Sequence, residues 1–312
     1  MKTLKTAVIG VGYLGKFHAQ KYHALKHSEL ICVCDQNADN AKLIAEDLEC
    51  AYTTDYKTLL GKVDAVSIVV PTQLHFEVAK DFLENGSDVL VEKPITSTLE
   101  QAQELVAIAK ANGRKLQVGH LERFNPAMLA LSETLTSPLF IESHRVAPYN
   151  PRGADVSVIL DLMIHDIDII LDIVDSSVKS ISANGVKALS SDIDIASARI
   201  EFENGCVANV TASRASLKSE RIMRIVQEDT YINLDFQKKS LTTYSKSKDK
   251  EMFPGVADIE TNTQTFEQGD ALLAEIESFL NTIQTDSIPV VSGEDGLRAL
   301  ETANQITELL CK

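Results

Sequence analysis

The 312-residue sequence is short of positive charge: 30 Lys and Arg stand against 45 Asp and Glu, a formal net charge of −15. That balance argues against a general binder of nucleic acid or of anionic membrane, either of which needs a positive surface. A small anionic ligand stays open where local Lys and Arg outweigh the global field. Cysteine is scarce too. Cys32, Cys34, Cys50, Cys206 and Cys311 form no CxxC pair and are odd in number. Such usage fits reduced, mostly buried thiols and argues against a cysteine-built zinc site. Long apolar runs are missing. The opening stretch MKTLKTAVIG breaks at glycine, so neither a secretory signal nor a spanning helix is expected, and the chain reads as cytoplasmic. No internal repeat, low-complexity tract or long disordered linker stands out.

What is present is a chain with 44% hydrophobic residues, long enough for about two domains. Over residues 1–120 the β-rich runs KTAVIG, LICVCD, DAVSIVVP, SDVLVEKP and KLQVGH alternate with helical patterns. The alternation implies parallel strands joined by crossover helices, an open, doubly wound α/β sheet. After residue 120 the texture changes. IDIASARIEFENGCVANVTASR reads as two strands around an Asn204-Gly205 turn, and RIMRIVQE, TYINLDF and SLTTYSK continue as strands. Residues 121–312 are therefore expected to form an α+β domain, a mostly antiparallel open sheet with helices on one side. Lys246 to Lys250 and the ETNTQT stretch read as loops. GDALLAEIESFLNTIQ and GEDGLRALETANQITELL read as helices, and the C-terminal helix is expected to pack back on the first domain.

GVGYLG, with Gly10, Gly12 and Gly15 around Tyr13 and Leu14, sits between the strand TAVI and a helical pattern. In that setting the glycines serve a tight turn, close approach of backbone N–H groups to a pyrophosphate, and helix-to-strand packing. Asp35 ends the second strand, where its carboxylate can accept hydrogen bonds from an adenosine ribose and repel a 2′-phosphate. The set predicts a dinucleotide site that prefers NAD over NADP; the bland alternative is a glycine turn in a nucleotide-free sheet. Ligands of open parallel sheets lie beyond the carboxyl ends of the strands, which places Pro71, Thr72, His75, Glu92 and Lys93 on the nucleotide side. Lys93 leaves a buried strand. It is either a partly desolvated proton donor and electrostatic aid or a partner of Glu92 that caps the strand.

From Ile159 to Val174, ILDLMIHDIDIILDIV, eleven of sixteen residues are apolar and the rest are Asp or His. Asp161, His165, Asp168 and Asp172 fall within an arc of about 60° on a helix, with Asp166 off it. Such a helix buries most sides and presents one polar edge to water, a metal or a substrate. Arg123, Asn125, Arg145, Tyr149 and Arg152 follow the domain junction or a strand. The arginines either neutralise a diphosphate or make surface ion pairs. His18, His23 and His27 are read on one helix but spread over roughly 180°, so one metal cannot collect them.

Together GVGYLGKFH, Asp35, PTQLH, the Glu92-Lys93-Pro94 triplet and DLMIHDID resemble the Gfo/Idh/MocA oxidoreductases, over nearly the whole chain including SGEDGLRALETANQI. Within the family, LQVGHLERFNPA and ESHRVAPYNPR are most similar to members that oxidise UDP-N-acetylglucosamine and related UDP-sugars at C3. The resemblance implies NAD(P) in the first domain and a catalytic set of Lys93, Asp161 and His165. His165 would take the hydroxyl proton, Lys93 would hold the oxygen, and Asp161 would orient substrate or tune His165. Asp168 would be a supporting partner and Asp172 structural. Substrate contacts are expected from Lys93, Arg123, Asn125, Arg145, Tyr149, Arg152, Asp161 and His165, with no metal. An antiparallel sheet with one face left bare implies a homo-oligomer, a dimer or tetramer. A free-sugar or inositol dehydrogenase and a non-catalytic NAD-binding regulator are the alternatives, because fold alone does not establish activity.

Overall fold

The structure is a computed structural model that describes residues 2–150, 157–254, 256–266 and 269–311. The chain divides into two compact units, one running to Leu121 and including Asp270–Arg298, the other comprising Glu122–Gly269 and the residues from Ala299.

In the first unit, β1 (Leu4–Ile9), β2 (Ser28–Cys34), β3 (Ala51–Thr53), β4 (Ala65–Ile68), β5 (Asp88–Glu92) and β6 (Leu116–Gly119) form one parallel sheet in the order β3-β2-β1-β4-β5-β6. Helices α1 (Gly15–Ala24), α2 (Ala38–Asp47), α3 (His75–Glu84) and α4 (Leu99–Ala111) provide crossovers. A sheet covered on both faces needs apolar residues in succession rather than in alternation, and β4, AVSI, is buried at all four positions. Strand order reverses between β1 and β4, so the chain leaves those two strand ends in opposite directions and opens a crevice there. Asn37 starts α2 by accepting from the backbone N–H groups of Asp39 and Asn40, and Thr98 caps α4 through Gln101.

The second unit holds eight strands: β7 (Phe140–Val146), β8 (Val178–Val186), β9 (Ile195–Phe202), β10 (Val207–Ser213), β11 (Glu220–Gln227), β12 (Thr230–Asp235), β13 (Ser240–Phe253) and β14 (Val256–Thr265). Their order is β14-β13-β12-β11-β7-β10-β9-β8, antiparallel except where β7 and β10 run parallel. Gly205, at φ 88°, turns β9 into β10 as the Asn-Gly pair requires. Lys246 to Lys250 and ETNTQT, expected to be loops, lie instead in β13 and β14, which pair from Ser240 opposite Thr265 onward. The ribbon is largely exposed on both faces, so it carries no apolar alternation for a sequence reading to find.

Helices α5 (Pro126–Leu131) and α6 (Ile164–Val174) cover this sheet. Ile164, Ile167 and Ile170 of α6 join Ala198, Ile200, Ala208, Val210 and Ile225 of the strands in one core. Two helices follow: α7 (Ala271–Thr285) belongs to the first unit, and α8 (Gly293–Leu310) contributes its start to the first unit and its remainder to the second. Ile276, Phe279 and Leu280 of α7 complete the core formed by Leu4, Val8, Ala19, Tyr22 and Leu90. That core is assembled from segments far apart in the chain.

Candidate active site

The glycine loop follows directly from β1. Gly10 donates its N–H to the Cys34 carbonyl at 2.7 Å and has φ 87°, with any added Cβ only 2.6 Å from the Val69 carbonyl oxygen. At Gly15 a Cβ would stand 1.8 Å from the Gly10 carbonyl oxygen, so the helix can approach the loop only with glycine there. Gly12 differs: nothing lies within 4 Å of its Cβ position, which leaves its backbone open to a ligand. Asp35 braces the loop, accepting from the Val11 N–H at 2.9 Å, the Asn37 N–H at 2.9 Å and the Asn40 side chain at 3.2 Å.

A cleft of about 570 Å³ lies at these strand ends, lined among others by Gly10, Gly12, Asp35, Tyr56, Pro71 and Leu74. Its position, its open glycine backbone and the acid at the end of β2 fit a dinucleotide. Tyr13 and Leu14 are exposed at the loop's tip, and Thr72 begins the short turn Thr72–Leu74 that leads into α3.

Two residues expected beside the nucleotide brace the framework. His75 is buried, its Nδ1 2.9 Å from the Pro94 carbonyl oxygen and its Nε2 2.9 Å from that of Val70. It ties the loops after β4 and β5 together, and burial holds its pKa below the ordinary value despite both carbonyls. Glu92 is engaged by His18 Nε2 at 3.1 Å and by the Lys93 backbone N–H at 3.2 Å. Burial works against its charge, but the His18 bond and charge, with the N–H and ammonium of Lys93, outweigh it and hold the carboxyl below its usual range. Lys93, half-buried, thus stands on a loop whose backbone is held by its own neighbour. His18 is a fully buried member of this group, while His23 is exposed and His27 lies beyond the end of α1.

In the second unit a single π-helical turn, Ile159–Met163, runs into α6 and carries Asp161 just before His165. Such turns recur at functional sites. Both residues are half-buried. Of the rest of the expected polar edge, Asp172 is exposed and Asp168 is not. Asp168 and Asp172 both engage Arg123, at 2.7 Å and 2.5 Å, and Asp168 is buried. Asp166, off the predicted arc, is also buried and takes Arg145 in a two-pronged pair at 2.7 and 3.2 Å.

The remaining Nη1 of Arg145 reaches Glu122 at 2.9 Å, and Arg221 reaches the same carboxylate at 3.3 Å. Burial opposes the Glu122 charge, yet Arg145, Arg221 and Asn125 together hold its pKa below the ordinary value. Asn125 donates to Glu122 and to the Phe236 carbonyl and caps α5 through the Ala127 N–H. Arg123, Asn125 and Arg145, expected to contact substrate, are therefore buried structural groups, because a charge inside a fold must be paired. Tyr149 is exposed after β7; Arg152 lies outside the described residues. Among the described residues, no group of three or more His, Cys, Asp or Glu side chains could hold a metal ion.

The positions to which sequence reading gave no role are the acidic partners Glu122 and Asp166 and, in the first unit, Gln117 and Glu275. Nothing local marks them, since each is defined by what packs against it.

Comparison with known proteins places both units. A family model described as an oxidoreductase family with an NAD-binding Rossmann fold matches residues 4–120, and the GFO/IDH/MocA C-terminal domain matches residues 141–233. UDP-N-acetylglucosamine 3-dehydrogenase of Acidithiobacillus ferrooxidans is 39% identical over 304 residues, 97% of this chain and 96% of that protein. A solved structure of that enzyme superposes with a TM-score of 0.93 at 38% identity, covering 99% of this chain and 98% of the other. scyllo-Inositol 2-dehydrogenase (NAD(+)) of Bacillus subtilis is 26% identical over 96% of this chain and 91% of its own. The chain belongs to the Gfo/Idh/MocA family of oxidoreductases, with an NAD-binding Rossmann sheet followed by the family's C-terminal sheet.

Proposed function

We propose that this chain oxidises the C3 hydroxyl of UDP-N-acetylglucosamine, or of a closely related UDP-sugar, to a keto sugar with NAD as oxidant. The observation that carries the reading is the end-to-end likeness to UDP-N-acetylglucosamine 3-dehydrogenase, at 39% identity over 97% of the chain. Oxidising a secondary alcohol requires a hydride to leave carbon and a proton to leave oxygen. NAD, when bound along the cleft by Gly10, Gly12 and Asp35, supplies the hydride acceptor. The protein's own residues handle the oxygen and its proton. His165 takes the hydroxyl proton, which an imidazole can do near neutral pH. The Lys93 ammonium holds the oxygen and stabilises the negative charge that grows on it, and Asp161 orients the sugar or His165. Asp35, already committed to three donors, leaves no favourable place for a 2′-phosphate, which supports NAD over NADP.

The enzyme is read as a cytoplasmic homo-oligomer assembled through the second sheet, whose strands expose Val186, Tyr231, Tyr244, Phe253 and Val256. Its sedimentation distinguishes that state from a monomer. No helix among the described residues is long and apolar enough to cross a membrane.

The test is NADH formation, followed by fluorescence, on mixing the protein and NAD with UDP-N-acetylglucosamine. Signal with the sugar nucleotide, and much less with NADP in place of NAD, is expected. Signal with inositol or glucose and none with any sugar nucleotide would overturn the substrate assignment in favour of the inositol dehydrogenase relatives.

A further inference from the structure

Beneath the loop of Lys93 the first unit buries a second acid. Across β5 and β6, Leu90 pairs with Gln117 and Glu92 with Gly119. Alternate residues of a strand share a face, so Gln117 and Gly119 point to the same side of the sheet, about 7 Å apart along β6. The Glu92 carboxylate lies over Gly119, where an added Cβ would stand 3.0 Å from it. Helix α7 lies over Gln117, whose Nε2 donates to the Glu275 carbonyl at 3.3 Å. Glu92 and Glu275 are therefore neighbours under one face, close enough for their charges to repel.

The two acids are served differently. Each oxygen of Glu92 has a donor, His18 on one and the Lys93 N–H on the other. Glu275 is 0% exposed and neither of its carboxyl oxygens finds a hydrogen-bond partner among the described residues. Burial first, and the Glu92 charge second, push its pKa well above the ordinary value. Tyr22 of α1, its hydroxyl bonded to Ser67 at 2.9 Å, is near enough to feel the Glu275 charge. Around Glu92 stand His18 of α1, His75 of α3 and Lys93 itself. A buried carboxyl with no partner is a costly group, and glutamine would occupy the same volume at less cost.

We propose that Glu275 is a positioning residue for Lys93, acting through Glu92. Uncharged, it leaves the Glu92 carboxylate committed to His18 and Lys93; ionised, it adds a second negative charge beneath the same loop and tightens the hold on the lysine's ammonium. The link between Glu275 and catalysis rests on the reading of Lys93 as the lysine of the reaction, but the electrostatic link to Lys93 is testable without any sugar.

The experiment treats the full-length protein with an amine-acylating reagent across a series of pH values and quantifies acylation of Lys93 by peptide mass spectrometry, since only the free amine reacts. In Glu275→Gln and Glu275→Leu, half-maximal acylation is expected about one pH unit below the wild type, the size of effect one nearby buried charge exerts. The wild-type curve is expected to rise more gradually than a one-proton titration, because each proton lost from the carboxyl makes the nearby ammonium harder to deprotonate. Coincident curves in wild type and variants would overturn the proposal. Should neither variant fold, the wild-type curve decides: a gradual rise supports the coupling and a one-proton slope overturns it. Turnover of Lys93→Met reports on the lysine's catalytic role separately, so that reading can fail while the acylation curves still judge Glu275.

Discussion

Lys93 is a residue whose surroundings prepare it. Its backbone N–H is held by Glu92, Glu92 is held by His18, and the neighbouring Pro94 carbonyl is tied to His75. A side chain set on so well-braced a loop can meet a developing charge without reorganising, which is where electrostatic catalysis gains most. Lys93→Met keeps the length of the side chain and removes its charge. Turnover is expected to fall about 100- to 1000-fold, the usual consequence of losing one stabilising donor. NAD affinity, measured by titration, should hold within about twofold, because the cleft is lined by other residues. Retained turnover would remove Lys93 from the mechanism. At this scale the positions of the glycines, Asp35 and Lys93 at strand ends were legible in the sequence, because a strand end, a turn and a charge in fixed order are local signals. His75 and Glu92 were placed at the correct strand ends, but their bracing bonds were not legible, since the Pro94 carbonyl and the His18 imidazole that engage them come from other segments.

Among the elements, α6 shows how an apolar helix carries three aspartates. Asp166, Asp168 and Asp172 are spent on Arg145 and Arg123, so the helix bearing His165 is clamped to β7 and to the segment before α5. Arg145→Met would leave Asp166 and Glu122 facing each other in the interior, and a loss of about 3–5 kcal/mol in denaturant unfolding is expected. The same cluster sets an acid limit. A carboxyl whose folded pKa is depressed stabilises the fold above its unfolded value and loses that contribution as pH falls through the folded one. For Glu122, whose ordinary value is 4.5, the melting temperature should therefore decline below about pH 4.5, and Glu122→Gln should flatten that decline. An unchanged pH dependence in the variant would show that Glu122 does not set the limit. Helical spacing told which side each aspartate faces; it could not tell that an arginine waits on that side, and so the stripe read as one open edge.

For the whole molecule, the decisive feature is that the first unit is discontinuous. Its sheet is complete by Gly119, yet Ile276, Phe279 and Leu280 of α7 arrive from beyond the second unit to finish its core. Three fully buried apolar side chains contribute about 6 kcal/mol, comparable to the whole stability of a small domain. A fragment of residues 1–121 is therefore expected to lack cooperative thermal unfolding by circular dichroism, and a fusion of 1–121 to 270–298 to recover it. A cooperatively folded 1–121 fragment would contradict the role assigned to α7.

By itself the sequence determined the class of each sheet, the dinucleotide loop and the residues proposed for the chemistry, because strand and helix periods and glycine turns are short-range and survive in the linear order. Only the tertiary structure decided which charges are buried against which, that β13 and β14 pair as an exposed ribbon, and that Glu275 is buried near Glu92 with no hydrogen-bond partner among the described residues. Those outcomes depend on desolvation and on contacts between residues as far apart as 117 and 275, and neither leaves a periodic trace along the chain.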